Sequence, residues 1–162
     1  MSKYDFKNLS WLDFEDLCAD LLSKKEKHLI ETFKGGQDGG VDLRCIKQGE
    51  STIIQFKHYA KSGFPQLLKD LKKELPKVEK LDPSNYKVMT SVPLSPDNKD
   101  KIYAVFKDYM QNPTDVLGAE DLNRLLLSYG DVERKHFKLW LNSTEILSKI
   151  LNNKEHVSND YH

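Results

Sequence analysis

An acidic residue and a Gln-x-Lys triplet lie close together in the first part of the chain. Asp42 follows the glycine-rich run GGQDGGV and opens an apolar segment, and Gln55-Phe56-Lys57 closes the next one. Twelve residues separate Asp42 from Gln55, which is enough for two short antiparallel strands and their turn. Such a layout can place a carboxylate, a backbone carbonyl and an ammonium group around one point. Metal-dependent cleavage of a phosphodiester uses these groups.

Alternating side chains predict the two strands that must carry these groups. Residues Val41 to Ile46 alternate between two faces, and so do residues Thr52 to His58. In the second of these strands, Gln55 and Lys57 are two residues apart and therefore point to the same face.

An amphipathic helix is predicted ahead of these strands. Ser10 is a suitable N-cap, and Asp13 occupies the third helical position of a capping-box-like motif. Apolar residues then recur at helical spacing from Phe14 to Leu22. Glu15 lies about 100° from Phe14 around the helix axis, at the edge of the apolar stripe. From there a carboxylate can reach a site at the edge of the core.

The rest of the chain alternates between strand and helix patterns. The resulting order is α-β-β-β-α-β-α-β-α-α, which indicates an α/β sandwich with a mixed sheet. The remaining predicted elements are a strand at His28–Phe33, a helix at Phe64–Leu81, a strand at Tyr86–Val92, a helix beginning at Ser95-Pro96, a strand at Asp115–Leu117, a helix at Ala119–Ser128 that stops near Gly130, and a helix at about Ser143–Leu151.

Composition indicates one soluble globular domain. The chain has 162 residues, of which 38% are hydrophobic and 31% charged. It contains no apolar run of the roughly 20 residues that span a bilayer and no secretory signal pattern. The two cysteines, Cys18 and Cys45, form neither a CxxC pair nor a zinc pattern. We therefore expect a reduced, cytoplasmic setting without membrane contact.

Charge is distributed unevenly although the formal net charge is zero. Residues 57–80 contain seven lysines and three acidic residues, and residues 110–133 contain five acidic residues and one arginine. A local basic face can hold a phosphate backbone even in a neutral protein. The structural alternative for such a run is a solvated helix face, on which the acidic residues Asp70 and Glu74 lie beside Lys69 and Lys73.

Several of these features together resemble a known family. Glu15 on a first helix, the segments GGQDGGVDLR and QFKHY, and the lysine-rich helix resemble the Mrr-like branch of restriction endonucleases, within the PD-(D/E)xK nuclease superfamily. The resemblance covers roughly residues 9–127. It implies a restriction-endonuclease-like three-layer sandwich, in which helices flank a central mixed β-sheet. We expect residues 1–151 to form this nuclease domain and residues 152–162 to form a polar tail or linker.

The resemblance also implies a role for each candidate site residue. Asp42 would be the central metal ligand, Glu15 would add a second carboxylate, and Phe56 would offer its backbone carbonyl. The expected cofactor is a single Mg²⁺, for which Mn²⁺ can substitute. Lys57 would orient the attacking water or stabilise charge on phosphorus. Gln55 takes the place of an acidic residue of the wider superfamily, and this amide is the usual form in the Mrr-like branch.

Other residues are predicted around this site. Asp38 and His58 are expected to act as outer-shell or structural residues. Taken singly, Asp42 could instead be a turn residue, Lys57 an ordinary lysine at a strand end, and Glu15 a solvated helix residue. The candidate contacts to the DNA backbone are Lys61, Lys69, Lys72 and Lys73.

The predicted function is Mg²⁺-dependent hydrolysis of phosphodiester bonds in double-stranded DNA, by a restriction-like effector in anti-phage defence. Double-strand cleavage predicts a homodimer or higher assembly, and a fused or associated sensor or NTPase module is a further expectation. Two alternatives are a catalytically silent DNA-binding or oligomerisation module of the same fold, and a structure-selective nuclease such as a Holliday junction resolvase.

Overall fold

The computed structural model describes residues 4–26, 31–32, 43–47, 49–59 and 61–136. Two predicted site residues, Asp38 and Asp42, lie outside the described residues. So do the predicted helix at about Ser143–Leu151 and the polar tail. Of the predicted strand at His28–Phe33, only Glu31 and Thr32 are described.

Helices and strands alternate through the described residues much as the sequence predicts. A short 3-10 helix, Phe6–Asn8, precedes the first α-helix, and a second one, Pro113–Asp115, precedes the last strand. The other elements are α1 (Trp11–Glu26), β1 (Glu31–Thr32), β2 (Leu43–Lys47), β3 (Glu50–Lys57), α2 (Phe64–Leu81), β4 (Asn85–Thr90), α3 (Pro96–Phe106), β5 (Val116–Leu117), α4 (Ala119–Ser128) and α5 (Gly130–Lys135).

The strands form one mixed sheet in the order β1-β2-β3-β4-β5. β2 pairs with both β1 and β3 in antiparallel fashion, whereas β4 pairs with both β3 and β5 in parallel fashion. The turn between β2 and β3 contains Gly49, whose φ of 81° suits a residue without a Cβ. Parallel pairing of β3 with β4 requires a crossover, which α2 provides.

Helices cover both faces of this sheet, because side chains along β3 alternate between two apolar cores. Ile54 and Phe56 pack in one core with Phe14 and its neighbours on α1, and with residues of α4 and α5. Ile53 packs in the other core with residues of α2 and α3. The predicted three-layer, restriction-endonuclease-like architecture is therefore confirmed, as is the predicted alternation of β3.

α1 begins and packs as its sequence predicts. The Ser10 hydroxyl oxygen accepts a hydrogen bond of 3.1 Å from the backbone N–H of Asp13, which satisfies one amide of the first turn. The apolar stripe of α1 is buried, from Phe14 to Leu22. In the described part of the chain, no helix is both long enough and apolar enough to cross a bilayer.

The helix at Gly130–Lys135, α5, is absent from the sequence prediction. α4 ends at Ser128 as predicted, but Gly130 then begins another helix instead of a loop. The Asp20 carboxylate on α1 holds the end of α5 by accepting from Lys135 Nζ at 2.9 Å and from His136 Nε2 at 2.7 Å. Burial opposes ionisation of Asp20, but these two partners outweigh it and lower the pKa of the carboxyl group.

α4 begins at a point where the backbone approaches another segment closely. A Cβ placed on Gly118 would lie 2.9 Å from Leu94 Cγ and 3.0 Å from the Val92 carbonyl oxygen. Only glycine fits such an approach without movement of the neighbouring chain. Gly118 therefore allows the chain after β5 to lie against the segment that follows β4.

Candidate functional site

The carboxyl ends of β3 and β4 lie side by side at one edge of the sheet. Lys57 pairs in register with Thr90, and the Ser91 N–H then donates to the Lys57 carbonyl at 3.2 Å. In open α/β sheets, ligands bind outside the carboxyl ends of the strands. β3 ends here at Lys57, and His58 and Tyr59 follow it. Two predicted site residues, Lys57 and His58, and their neighbour Tyr59 therefore lie at this edge.

The Lys57 ammonium group is held against α2. Its Nζ atom lies 3.2 Å from Oε1 of Glu74, and the two side chains are only 18% and 13% exposed. The other carboxylate oxygen, Oε2, lies 3.6 Å from Lys77 Nζ, beyond hydrogen-bonding distance. Of the two alternatives for the charged run 57–80, a solvated helix face does not describe Glu74, because its side chain is largely buried and paired with Lys57.

Gln55 lies on the same face of β3 and is buried in the core beneath α2 and α3. Its Oε1 accepts a hydrogen bond of 2.8 Å from the Tyr86 hydroxyl. The Tyr86 ring is itself fully buried and packs against Phe106 with centroids 4.6 Å apart. A buried carboxylate at position 55 would carry a charge that is costly to desolvate, whereas the amide forms the same hydrogen bond without that charge.

His58 points to the opposite face and joins three segments of the fold. Its Nε2 lies 2.6 Å from the Leu9 carbonyl oxygen, which can only accept, so Nε2 carries the proton. Nδ1 then accepts from the Ser91 hydroxyl at 2.8 Å, and the ring stacks on Phe14 at 4.7 Å. The Ser91 oxygen also accepts from the Tyr59 N–H at 3.0 Å. Both ring nitrogens are thus engaged within the fold, as expected of a structural residue.

Tyr59 makes a second polar contact with α2, one helical turn before Glu74. Its hydroxyl donates to the Asp70 carboxylate, which also accepts from the Gln66 amide at 2.9 Å. Burial and the neighbouring carboxylate raise the pKa of Tyr59, so the phenol keeps its proton and acts as the donor. The sequence does not predict this contact, although the spacing of Asp70 and Glu74 places both on one face of α2.

The candidate DNA-contacting lysines are exposed beside this edge. Lys69, Lys72 and Lys73 follow i, i+3 and i+4 spacing on α2, and they line a shallow surface depression together with Pro65 and Leu68. Lys61 is exposed in the segment between β3 and α2.

Asp70 interacts electrostatically with the lysine face of α2, formed by Lys69, Lys72 and Lys73, and with the end of β3. Burial raises the pKa of Asp70, but the Tyr59 and Gln66 hydrogen bonds and the charges of Lys57 and Lys73 outweigh burial and lower the pKa overall. The Asp70 carboxylate therefore offsets part of the positive charge of these lysines.

Comparison with known proteins shows which family part of the chain is similar to. Residues 6–82 match the family model Mrr_cat, which describes a restriction endonuclease. This segment resembles an Mrr-type restriction endonuclease domain. The chain is also 40% identical over 151 residues to the uncharacterized protein y4cD of Sinorhizobium fredii (strain NBRC 101917 / NGR234). The alignment covers 93% of this chain and 24% of y4cD, so the chain spans about a quarter of the length of that curated relative.

The Mrr-type match contains every candidate site residue and ends where α2 ends. Asp82 closes α2 with φ of 45° and ψ of 57°, and its N–H donates to the Val78 carbonyl. The matched segment therefore includes the helix that carries Glu74 and the lysine face. β4 and the residue that follows it, Ser91, lie beyond the matched segment.

Glu15 and Lys57 approach the site edge of the Mrr-type domain from opposite faces of the sheet. Glu15 is half-buried on α1, next to Phe14, in the layer that covers Ile54 and Phe56. Lys57 instead faces α2. Their side chains can share a ligand only at the rim of the sheet, where α1 begins and β3 ends.

The predicted metal ligands lie only partly within the described residues. Those residues contain no group of three His, Cys, Asp or Glu side chains that could hold a metal ion. The predicted set depends on Asp42, which lies outside them.

Proposed function

We propose that this Mrr-type domain is a Mg²⁺-dependent endonuclease that hydrolyses phosphodiester bonds in double-stranded DNA. The observation that carries the proposal is the position of Lys57. Its ammonium group lies at the carboxyl end of β3, beside an exposed lysine face and within the segment that matches a restriction endonuclease family. A cation at this edge can act on a phosphate that the lysine face holds nearby.

The predicted ligand set suits a hard divalent cation. The Asp42 and Glu15 carboxylates and the Phe56 backbone carbonyl would supply only oxygen atoms, which Mg²⁺ and Mn²⁺ prefer. Glu15 is half-buried at the start of α1 and Phe56 precedes the last residue of β3, so both belong to the elements that meet at the site edge. A metal bound there would acidify a water molecule and offset the charge of the phosphate.

The other residues of the proposed site stabilise charge and hold the DNA. Lys57 stabilises the negative charge that builds up on the phosphate oxygens during attack. Gln55 is bound to Tyr86 in the core and contributes no formal charge to the site, which leaves one metal as the expected number. DNA is held by its phosphates through the exposed lysine side chains, namely Lys61, Lys69, Lys72 and Lys73.

In its wider setting, the domain is proposed to serve as a cytoplasmic effector of anti-phage defence. Cleavage of both strands calls for two copies of the site, and hence for a homodimer or higher assembly. The relative y4cD is about four times longer than the segment that it shares with this chain. That difference in length supports the proposal that the domain works with a fused or associated sensor or NTPase module.

Cleavage of a supercoiled plasmid tests the proposal. The purified chain is incubated with plasmid and Mg²⁺, Mn²⁺ or EDTA, together with Asp42→Ala and Lys57→Ala. Lys101→Ala is a matched control, because Lys101 is an exposed lysine on α3 whose partner is Asp97. We expect metal-dependent nicking that is lost in Asp42→Ala, falls about 100-fold or more in Lys57→Ala, and is unchanged in the control. Full activity in Asp42→Ala would refute the assignment of the site.

A second candidate function, a catalytically silent DNA-binding module, is favoured by one observation. The Gln55 amide replaces a carboxylate and is already bound to Tyr86. A silent module would bind duplex DNA without nicking it. In either case, changing Lys69, Lys72 and Lys73 together to glutamine should weaken binding and reduce the slope of log affinity against log salt by about 2 to 3.

A further inference from the structure

Glu74 is a largely buried carboxylate at the edge of the candidate site to which the resemblance gives no role. Its Oε1 lies 3.2 Å from Lys57 Nζ, and its side chain is 13% exposed. We propose that Glu74 is a positioning residue that holds the Lys57 ammonium group in place for cleavage. This inference rests on the proposed function of the domain and adds a residue to its site.

The Lys57–Glu74 pair is one of two contacts that join α2 to the end of β3 and the residues directly after it. Tyr59, two residues after Lys57, donates to Asp70, one helical turn before Glu74. Residues two apart share a face of an extended chain, and residues four apart share a face of a helix. The two contacts therefore fix the register between the end of β3 and α2, and Lys57 has a defined partner at a defined position.

Because the Glu74 carboxylate is buried, other donors cannot easily take the place of Lys57 as its partner. Oε2 of Glu74 is buried, and within the described residues no donor forms a hydrogen bond to it. Lys77 Nζ is 3.6 Å away from that oxygen and is 47% exposed, so its charge is screened by solvent. A carboxylate with so little access to water or other donors favours the conformation in which Lys57 remains beside it.

Such a partner restricts a side chain that is otherwise flexible. A lysine has four rotatable side-chain bonds, and fixing them costs entropy when the ammonium group must act at one point. With Glu74 present, much of that ordering precedes DNA binding, and the charge is already oriented when the phosphate arrives. Glu74 should therefore influence the rate of the cleavage step more than the affinity for DNA.

The test compares Glu74→Gln with the wild type and with Glu79→Gln, a matched change at an exposed position on the same helix. Single-turnover nicking rates are measured with saturating protein and Mg²⁺, and DNA affinity is measured in the same buffer without metal. NMR spectra of the lysine ammonium groups, with the Lys57 signal assigned through Lys57→Ala, report the pairing independently of activity.

We expect Glu74→Gln to lower the nicking rate about 10- to 100-fold, the usual effect of losing the partner of a site residue. We also expect the Lys57 signal to shift and DNA affinity to change less than about threefold, with Glu79→Gln unchanged in every measurement. An active wild type whose nicking rate and Lys57 signal are both unaffected by Glu74→Gln would overturn this inference alone. A wild type that nicks no DNA with either metal would overturn the proposed function, and this inference with it.

Discussion

Replacement of His58 by alanine should destabilise the domain more than most surface substitutions, because one ring joins three segments. The ring bonds to the Leu9 carbonyl and the Ser91 hydroxyl, at 2.6 and 2.8 Å, and stacks on Phe14 with an interplanar angle of 15°. Each hydrogen bond contributes about 1 kcal/mol. An aromatic contact of this kind adds about 0.5–1.5 kcal/mol. We expect the free energy of unfolding to fall by about 2–4 kcal/mol.

Urea unfolding followed by far-UV circular dichroism measures this loss of stability. A second variant separates the contribution of the two hydrogen bonds from that of the ring contact. His58→Phe keeps a ring on Phe14 but removes both hydrogen bonds, so it should lose about 1.5–3 kcal/mol and remain more stable than His58→Ala. A cost of less than about 0.5 kcal/mol for His58→Ala, the range of ordinary surface substitutions, would contradict this expectation. A stability of His58→Phe equal to that of the wild type would also contradict it, since the hydrogen bonds would then contribute nothing.

Three further predictions concern the fold around the site. Tyr86→Phe removes the buried hydroxyl that donates to Gln55 and should lower the free energy of unfolding by about 1–2 kcal/mol in urea, with Tyr103→Phe as a less buried control. Gly118→Ala should cost about 1–3 kcal/mol, because the added methyl group would lie within 3.0 Å of the neighbouring segment; a thermal midpoint equal to the wild type would contradict this. The folded pKa of Asp20 lies below its ordinary value of 3.8, so its contribution to stability is complete above about pH 4 and is lost as the pH falls through the folded pKa. Acid titrations of stability should therefore be flatter below pH 4 in Asp20→Asn than in the wild type.

The order of elements and the faces of β3 could be predicted because both depend on local patterns. Period-two alternation separates Ile54 from Gln55 and Lys57, and the structure places them in different layers. The predicted helix at Phe64–Leu81 is confirmed at both ends, although Pro76 lies within it and removes one backbone donor. The apolar stripe of this helix packs against the sheet and outweighs that local cost.

Contacts between distant segments could not be predicted from these patterns. The partner of Lys57 depends on how α2 is rotated above the sheet, which is decided by packing of its apolar residues and not by the charges near position 57. Likewise, Gly130 carries the usual signal for a helix end, yet α5 begins there because Asp20 on α1 supplies a partner for its last turn. Sequence position alone did not place Glu15 relative to Lys57, since they belong to different layers.

If the proposed function holds, the neutral net charge of the chain is a poor guide to its affinity for DNA, because the acidic and basic side chains of α2 point in different directions. Asp70 and Glu74 turn toward the end of β3 and are engaged there by Tyr59 and Lys57. The exposed lysines on the neighbouring face of α2 point toward solvent along the surface depression. A polyanion approaching this face therefore meets the lysines before the carboxylates, and the carboxylates are already paired. Under the proposed function, the same helix would attract a phosphate backbone with one face and orient Lys57 with another, which would link binding and cleavage through a single element.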